Sequence, residues 1–418
     1  MDSPGSMQVK TAAGTETPWA AIAGVIATVS GFAIALGLTH PLLSFILERQ
    51  GTSSALIGLS AAMTPLGMIA SAPLIPALAR RFGAGTTALT CAGLAAILLA
   101  LIGWWQDLLA WFPRRFLLGA LINPLYVLSE VWMIALAPPE RRGRVMGIYT
   151  AIISAGFAAG PLSLVLVGSQ GWPPFLVGIA AFVVCGLCLA SVLPRLPTLD
   201  DGGEQASVRG FLPHAPVLLL AVGVAAAFEQ AVLSLLPIYG LGYGIGEAGM
   251  SGLLAVLIAG NIALQVPLGL AAERLGPTPV LIACSAGTAL GCVMLPLVIG
   301  TDLQWPLAFL WGALSYGIYT VALVELGERF SGSMLVAGNA AFALMWGIGG
   351  MAGPPATGAF MDAVGVQGLP VTFGLLCFGL AAVGLLRRRG RRSRPPRSWP
   401  DPCKGPRRRS QGPARSLH

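Results

Sequence analysis

The chain has 418 residues, of which 55% are hydrophobic and only 10% charged, with a mean hydropathy of +0.78. Soluble globular domains carry about 25% charged residues, so soluble enzymes and nucleic-acid binders are excluded, and an all-α membrane protein with many spans is expected. The net charge of +8 does not reopen nucleic-acid binding, because from Arg387 onward eleven Arg and one Lys face the single acid Asp401, leaving the remainder of the chain acidic.

Residues 1–18 are polar and precede the first apolar run, Trp19 to Thr39. Five more runs follow at Ala55 to Leu78, Thr87 to Trp104, Leu108 to Ala137, Val145 to Val167 and Phe175 to Leu193. The polar stretch 194–213 then separates two expected domains, 19–193 and 214–386. The second contains runs at Ala215 to Ile238, Ala248 to Ala272, Val280 to Ile299, Pro306 to Leu326, Met334 to Phe360 and Leu369 to Leu386. Each run matches the roughly 20 residues that cross a bilayer, which predicts twelve spans. The stretch 194–213 is expected to be a cytoplasmic loop with no fold of its own. The Pro-rich, basic segment 387–418 is expected to be a disordered tail held by anionic lipid.

Lys and Arg in short loops mark the cytoplasmic side. Lys10, Arg80, Arg81, Arg141, Arg142, Arg144, Arg195, Arg209, Arg274, Arg329 and the basic tail fall on one side, and Arg49 on the other, with Arg114 and Arg115 just inside a span there. Both termini are therefore expected in the cytoplasm, and the first run is expected to be a span and not a cleaved signal peptide. Six of the seven Cys lie within apolar runs, where they act as small hydrophobes; the pair Cys185 and Cys188 is read as packing. With only His40, His214 and His418 besides, neither a metal centre nor a cofactor is expected.

The two halves repeat one another. Gly160-Pro161 recurs as Gly353-Pro354, each preceded four residues earlier by a glycine, Gly156 and Gly349. The turn Arg80-Arg81-Phe82-Gly83 recurs at the same offset as Glu273-Arg274-Leu275-Gly276. Two six-helix bundles of matching topology follow, related by an axis along the membrane normal with the substrate path between them. The small residues predict close helix approach, and Pro161 and Pro354 bends where the halves rock.

These motifs resemble those of the major facilitator superfamily. The loop signature of that family is best kept in Gly269 to Gly276, which carries Glu273 and Arg274; in the first half Pro76 stands for the Gly and Arg80 for the acid. Arg115 to Gly119 is similar to the arginine motif of the fourth helix, and Gly156 to Pro161 to the motif associated with antiporters. The loop Pro139 to Arg144 and the run Leu236 to Gly240 resemble a bacterial inner-membrane subgroup of sugar or drug carriers. The resemblance implies a multi-pass inner-membrane transporter of small molecules, acting as a monomer by alternating access.

Ionisable groups inside spans are costly and mark function. Glu229 lies about 14 residues, or roughly 21 Å, into the seventh run, near the middle of the bilayer. Desolvation favours the neutral form of a carboxyl, as a proton-carrying group requires. Glu229 is therefore expected to couple transport to protons, the alternative being a structural carboxyl bonded to Gln230 or a neighbouring helix. Glu130 and Glu325 occupy related places nearer the cytoplasmic ends of runs four and ten. Family resemblance implies that Glu130 latches to Arg81 or Arg80 and Glu325 to Arg274; the competing expectation for Glu325 is an i,i+4 pair with Arg329.

Arg115, Asn123, Tyr126, Asn261, Gln265, Tyr316 and Asn339 are candidate substrate contacts, the amides being equally suited to join helices. Trp132, Tyr319 and Trp346 are further candidates to line a cavity, and Trp104, Trp105 and Trp111 an interfacial aromatic belt. No GxxxxGK[ST] loop occurs, so ATP is not the direct energy source. A proton-coupled secondary transporter follows, efflux being favoured over uptake. A transporter fold reused as a receptor or assembly scaffold is the alternative, and no catalytic constellation points to an enzyme.

Overall fold

A computed structural model describes residues 19–138, 141–197 and 208–392. The expected N-terminal segment 1–18, the middle of the stretch 194–213, the start of the loop Pro139 to Arg144 and most of the basic tail lie outside the described residues.

Among the described residues, twelve helices are long and apolar enough to cross a membrane. In chain order these are α1 (Trp19–Arg49), α2 (Ser54–Phe82), α3 (Ala84–Trp104), α4 (Leu108–Leu136), α5 (Arg142–Val167) and α6 (Pro173–Val192), then α7 (Pro216–Leu241), α8 (Glu247–Leu275), α9 (Pro277–Val298), α10 (Gln304–Arg329), α11 (Gly332–Val364) and α12 (Gly368–Arg392). In hydrocarbon each helix must satisfy its backbone internally, so the breaks fall where proline forces them. In α2 a 3₁₀ turn at Ala72–Leu74, carrying Pro73, offsets the last two turns, Ile75–Phe82. The turns after α2 and α8 need backbone in the left-handed region, at Gly83 (φ 84°) and Gly276 (φ 86°), which explains why the repeated loop motif ends in glycine in both halves.

An even number of crossings brings the chain back to its starting side. Trp19, Phe211 and the end of α12 thus share one face, the tail face, while the α1–α2, α5–α6, α7–α8 and α11–α12 turns lie at the far face. Two expectations about the tail face need correction. Val208–Phe211 forms one helical turn followed by a 3₁₀ turn at Leu212–His214, because Phe211 is fully buried and stacks edge-on against Phe330 at 4.9 Å. Helix α12 also runs beyond Leu386 to Arg392, since arginine is a good helix former and its charge suits a helix C-terminus.

The glycine tracts pack within each half and not at the line between halves. A Cβ on Gly160 would overlap the backbone of Gly37 and Leu38 in α1, and one on Gly156 would stand 2.8 Å from Ala33 Cβ. In the second half a Cβ on Gly349 would overlap the Gly223 carbonyl, and one on Gly353 would lie 2.6 Å from Ala227 Cα in α7. Helices α5 and α11 thus dock on α1 and α7, the first helices of their own bundles. Overpacking a site walled by backbone costs about 1–3 kcal/mol. Gly160→Leu is therefore expected to lower the melting temperature of the purified protein, whereas Gly147→Leu, on the same helix with nothing within 4 Å, leaves it unchanged; equal melting of the two variants would remove the packing role.

The halves meet along α2 with α11 and α5 with α8. One apolar core runs through the first half and continues across the far-face portions of α7, α8, α9 and α10, through Leu235, Leu254, Leu295 and Trp311. Towards the tail face the second half has a separate core, including Leu218, Val222, Val321 and Phe342. The molecule is thus sealed between halves at the far face and divided at the tail face.

Candidate functional site

The middle of the molecule, where the shared core stops, gathers polar groups from both halves. Glu229 sits halfway along α7, is partly buried, and accepts a hydrogen bond from the Trp346 side chain on α11. From the other half, Tyr126 of α4 is 38% exposed. Its hydroxyl lies in electrostatic reach of Glu130, Tyr149, Tyr319 and Glu229, and Tyr316 is in reach of Glu229. The Phe32 ring of α1 meets Tyr126 edge-on at 6.3 Å, and Ser129 and Tyr149 share a hydrogen bond of 3.0 Å. Two carboxyls, four tyrosines and a tryptophan therefore converge from α4, α5, α7, α10 and α11. Such a surface offers ring faces for an apolar or cyclic body and a few hydroxyl and carboxyl groups to orient it.

Other expected site residues fall elsewhere. Arg115 is 1% exposed and donates to Ser60 Oγ at 3.2 Å within the first bundle; it packs beneath the far-face closure and not on the gap. Asn123 donates to the Met68 carbonyl at 2.8 Å and to Ser71 Oγ at 3.1 Å, tying α4 to α2 just before its 3₁₀ break. Of the remaining amides, Asn261 and Gln265 are half-buried on α8 and Asn339 is exposed on α11.

Glu325 is 3% exposed and accepts from Arg329 at 2.9 Å, the i,i+4 arrangement, because one helical turn places the two side chains together without any movement of neighbours. Arg81 lies over its neighbour Phe82 at 5.3 Å, and Glu130, Glu273 and Arg274 are exposed. Glu130 stands in electrostatic reach of Tyr126 and Tyr149 and of Tyr319 from the other half.

Inter-half polar contacts that were missed in the sequence sit at the far face. Arg49 at the end of α1 pairs with Glu247 at the start of α8 at 2.5 Å, and Asp362 of α11 accepts from the backbone N–H groups of Ser54 and Ala55 in α2. The only signals were Arg49, basic on the side of the membrane poor in Lys and Arg, and the acids flanking runs eight and eleven.

The chain matches the family model of the Major Facilitator Superfamily over residues 21–326 and 218–415, and it belongs to that superfamily. It is 26% identical over 355 residues to the MFS-type transporter YfkF of Bacillus subtilis (strain 168), covering 81% of this chain and 87% of the relative. It is also 26% identical over 279 residues to the MFS-type transporter YcaD of Escherichia coli, covering 65% and 69%. Among solved structures, the nucleoside transporter NupG superposes with a TM-score of 0.74 at 12% identity, covering 89% of this chain and 98% of that one. A bacterial homologue of the human lysosomal transporter Spinster gives 0.73 at 14% identity, covering 90% and 98%. The chain is thus a multi-pass membrane transporter of the major facilitator fold.

Proposed function

We propose that this protein is a proton-coupled secondary transporter of the bacterial inner membrane that exports a small molecule by alternating access. The observation that carries the proposal is Glu229: a midspan carboxyl on the gap between the halves, held by Trp346 and surrounded by tyrosines from both bundles. A carboxyl at that depth can be presented to one side and then the other as the bundles rock, while its neutral form crosses the membrane far more cheaply than its charged one. The tail face is cytoplasmic, because the short basic loops and the Arg-rich end fall there. The gap in this state then opens to the cytoplasm, where an exported compound would enter. Tyr126, Tyr316, Tyr319 and Trp346 form the substrate surface, Glu130 orients substrate or gates access to it, and the basic tail lies against anionic lipid. The monomer is the transporting unit.

Orientation is checked by reporter fusions at Gly202 and after Arg397, which should both read cytoplasmic; a periplasmic signal at either would reverse the direction of the gap. Substrate and direction are checked by a growth and drug-sensitivity screen of a deletion strain. Export predicts that the strain becomes more sensitive to at least one compound and retains more of it; a strain that instead fails to take up a nutrient would show the opposite direction.

A further inference from the structure

The far-face closure contains a contact that an N-terminal helix cap does not usually make. The first N–H groups of a helix lack intrahelical partners, and in α2 two of them are served from the opposite half of the molecule. Asp362 Oδ1 accepts from Ser54 N at 2.8 Å and Asp362 Oδ2 from Ala55 N at 3.0 Å, while the chain's own Ser53 reaches only Leu56 N. A carboxylate at this point also meets the positive end of the helix dipole. Nearby, Arg49 Nη1 pairs with Glu247 at 2.5 Å, Arg49 Nη2 donates to the Ser169 carbonyl at 3.0 Å, and Ser169 Oγ bonds Glu247. Backbone contact completes the seal, with Gly58 against the Pro354 carbonyl and Gly358 against the Ser54 carbonyl.

We infer that Asp362 and the Arg49–Glu247 pair are the gating residues that hold the far face shut, and that Glu48 opposes them. Opening the far face must uncap α2 and break the pair, because the Asp362 cap, the Glu247 contacts with Arg49 and Ser169, and the Gly58 and Gly358 approaches all join the first bundle to the second. Glu48, one residue before Arg49 and half-buried, stands in electrostatic reach of Asp362. Its negative charge repels Asp362 and weakens the latch. The groups are partly solvent-exposed, so salt screens them and the effect of each substitution should shrink at high ionic strength.

Hydrogen–deuterium exchange of the full-length protein in lipid nanodiscs, without substrate or pH gradient, tests the latch independently of the proposed transport cycle on which its role rests. Asp362→Asn and Glu247→Gln should each speed exchange roughly tenfold in the far-face parts of α7 and α8 around Leu235 and Leu254, away from the altered contacts. The same variants should slow exchange at the tail-face ends of α4 and α10. Glu48→Gln should do the reverse on both faces, and Arg49→Glu combined with Glu247→Arg should restore the parent pattern lost in Arg49→Glu alone. Changes confined to the first turn of α2, or a Glu48→Gln effect of the same sign as Asp362→Asn, would overturn the assignment. Failure of proton-driven flux in the parent protein, with these exchange patterns intact, would instead strike only the transport proposal.

Discussion

Glu229→Gln abolishes substrate accumulation driven by a pH difference while leaving substrate exchange across the membrane intact. The glutamine keeps the size and hydrogen-bonding reach of the side chain and can still accept from Trp346, so the gap and its tyrosines remain. It cannot release or take up a proton. The bundles can then rock with substrate bound on either side, but no downhill proton movement drives the cycle. Because coupling requires the group itself, the loss of concentrative transport should be complete. Measuring counterflow and pH-driven transport side by side checks it: retained accumulation in Glu229→Gln makes the carboxyl structural, and loss of both activities assigns it to substrate binding or folding.

Gly58→Val stops transport by a different route. A Cβ at Gly58 would overlap the Pro354 carbonyl across the line between the halves, and a backbone group cannot swing aside as a side chain can. The wedge leaves each bundle's own packing untouched and bears only on the closed far face. Overpacking of about 1–3 kcal/mol shifts the ratio of far-open to far-closed molecules by a factor of about 5 to about 150. Ala62, buried one turn further along α2 on the face that carries Gly58, should become reachable once the seal opens. A thiol introduced as Ala62→Cys is expected to react with a membrane-impermeant maleimide in the Gly58→Val background and to be protected in the parent. Normal transport with a protected thiol would show that the contact yields without opening the far face.

Most of the architecture was legible because hydrocarbon imposes one rule on every segment. Apolar runs of span length must be helices, so the twelve spans could be read from hydropathy, and the two bundles from the recurrence of Gly160-Pro161 and the turn ending at Gly83. The ends of elements were less legible. Phe211 lies in a polar stretch, and only its pocket beside Phe330 and Gly338 explains why the chain turns helical there. Glu229 was legible as a candidate because a midspan acid is costly, whereas Tyr149 was not, since a tyrosine in an apolar run has no such cost and reveals itself only through its neighbours on α4. Arg115 shows the limit of the same reasoning: charge within a span marks a special position but does not say whether it faces the gap or the interior of a bundle. The far-face contacts were invisible for a third reason. Asp362 meets Ser54 and Ala55 across more than 300 residues, and nothing local to either segment signals a cap supplied by the other half.

The most direct measurement is accumulation in proteoliposomes of the purified protein, with the compound identified by the deletion screen and an imposed pH difference as the sole driving force. The proposal predicts concentration of the compound well above equilibrium, loss of that excess on adding a protonophore, and reversal when the pH difference is reversed. Equilibration that ignores the pH difference would contradict proton coupling, and no movement of the compound at all would contradict transport itself and favour a receptor or scaffold.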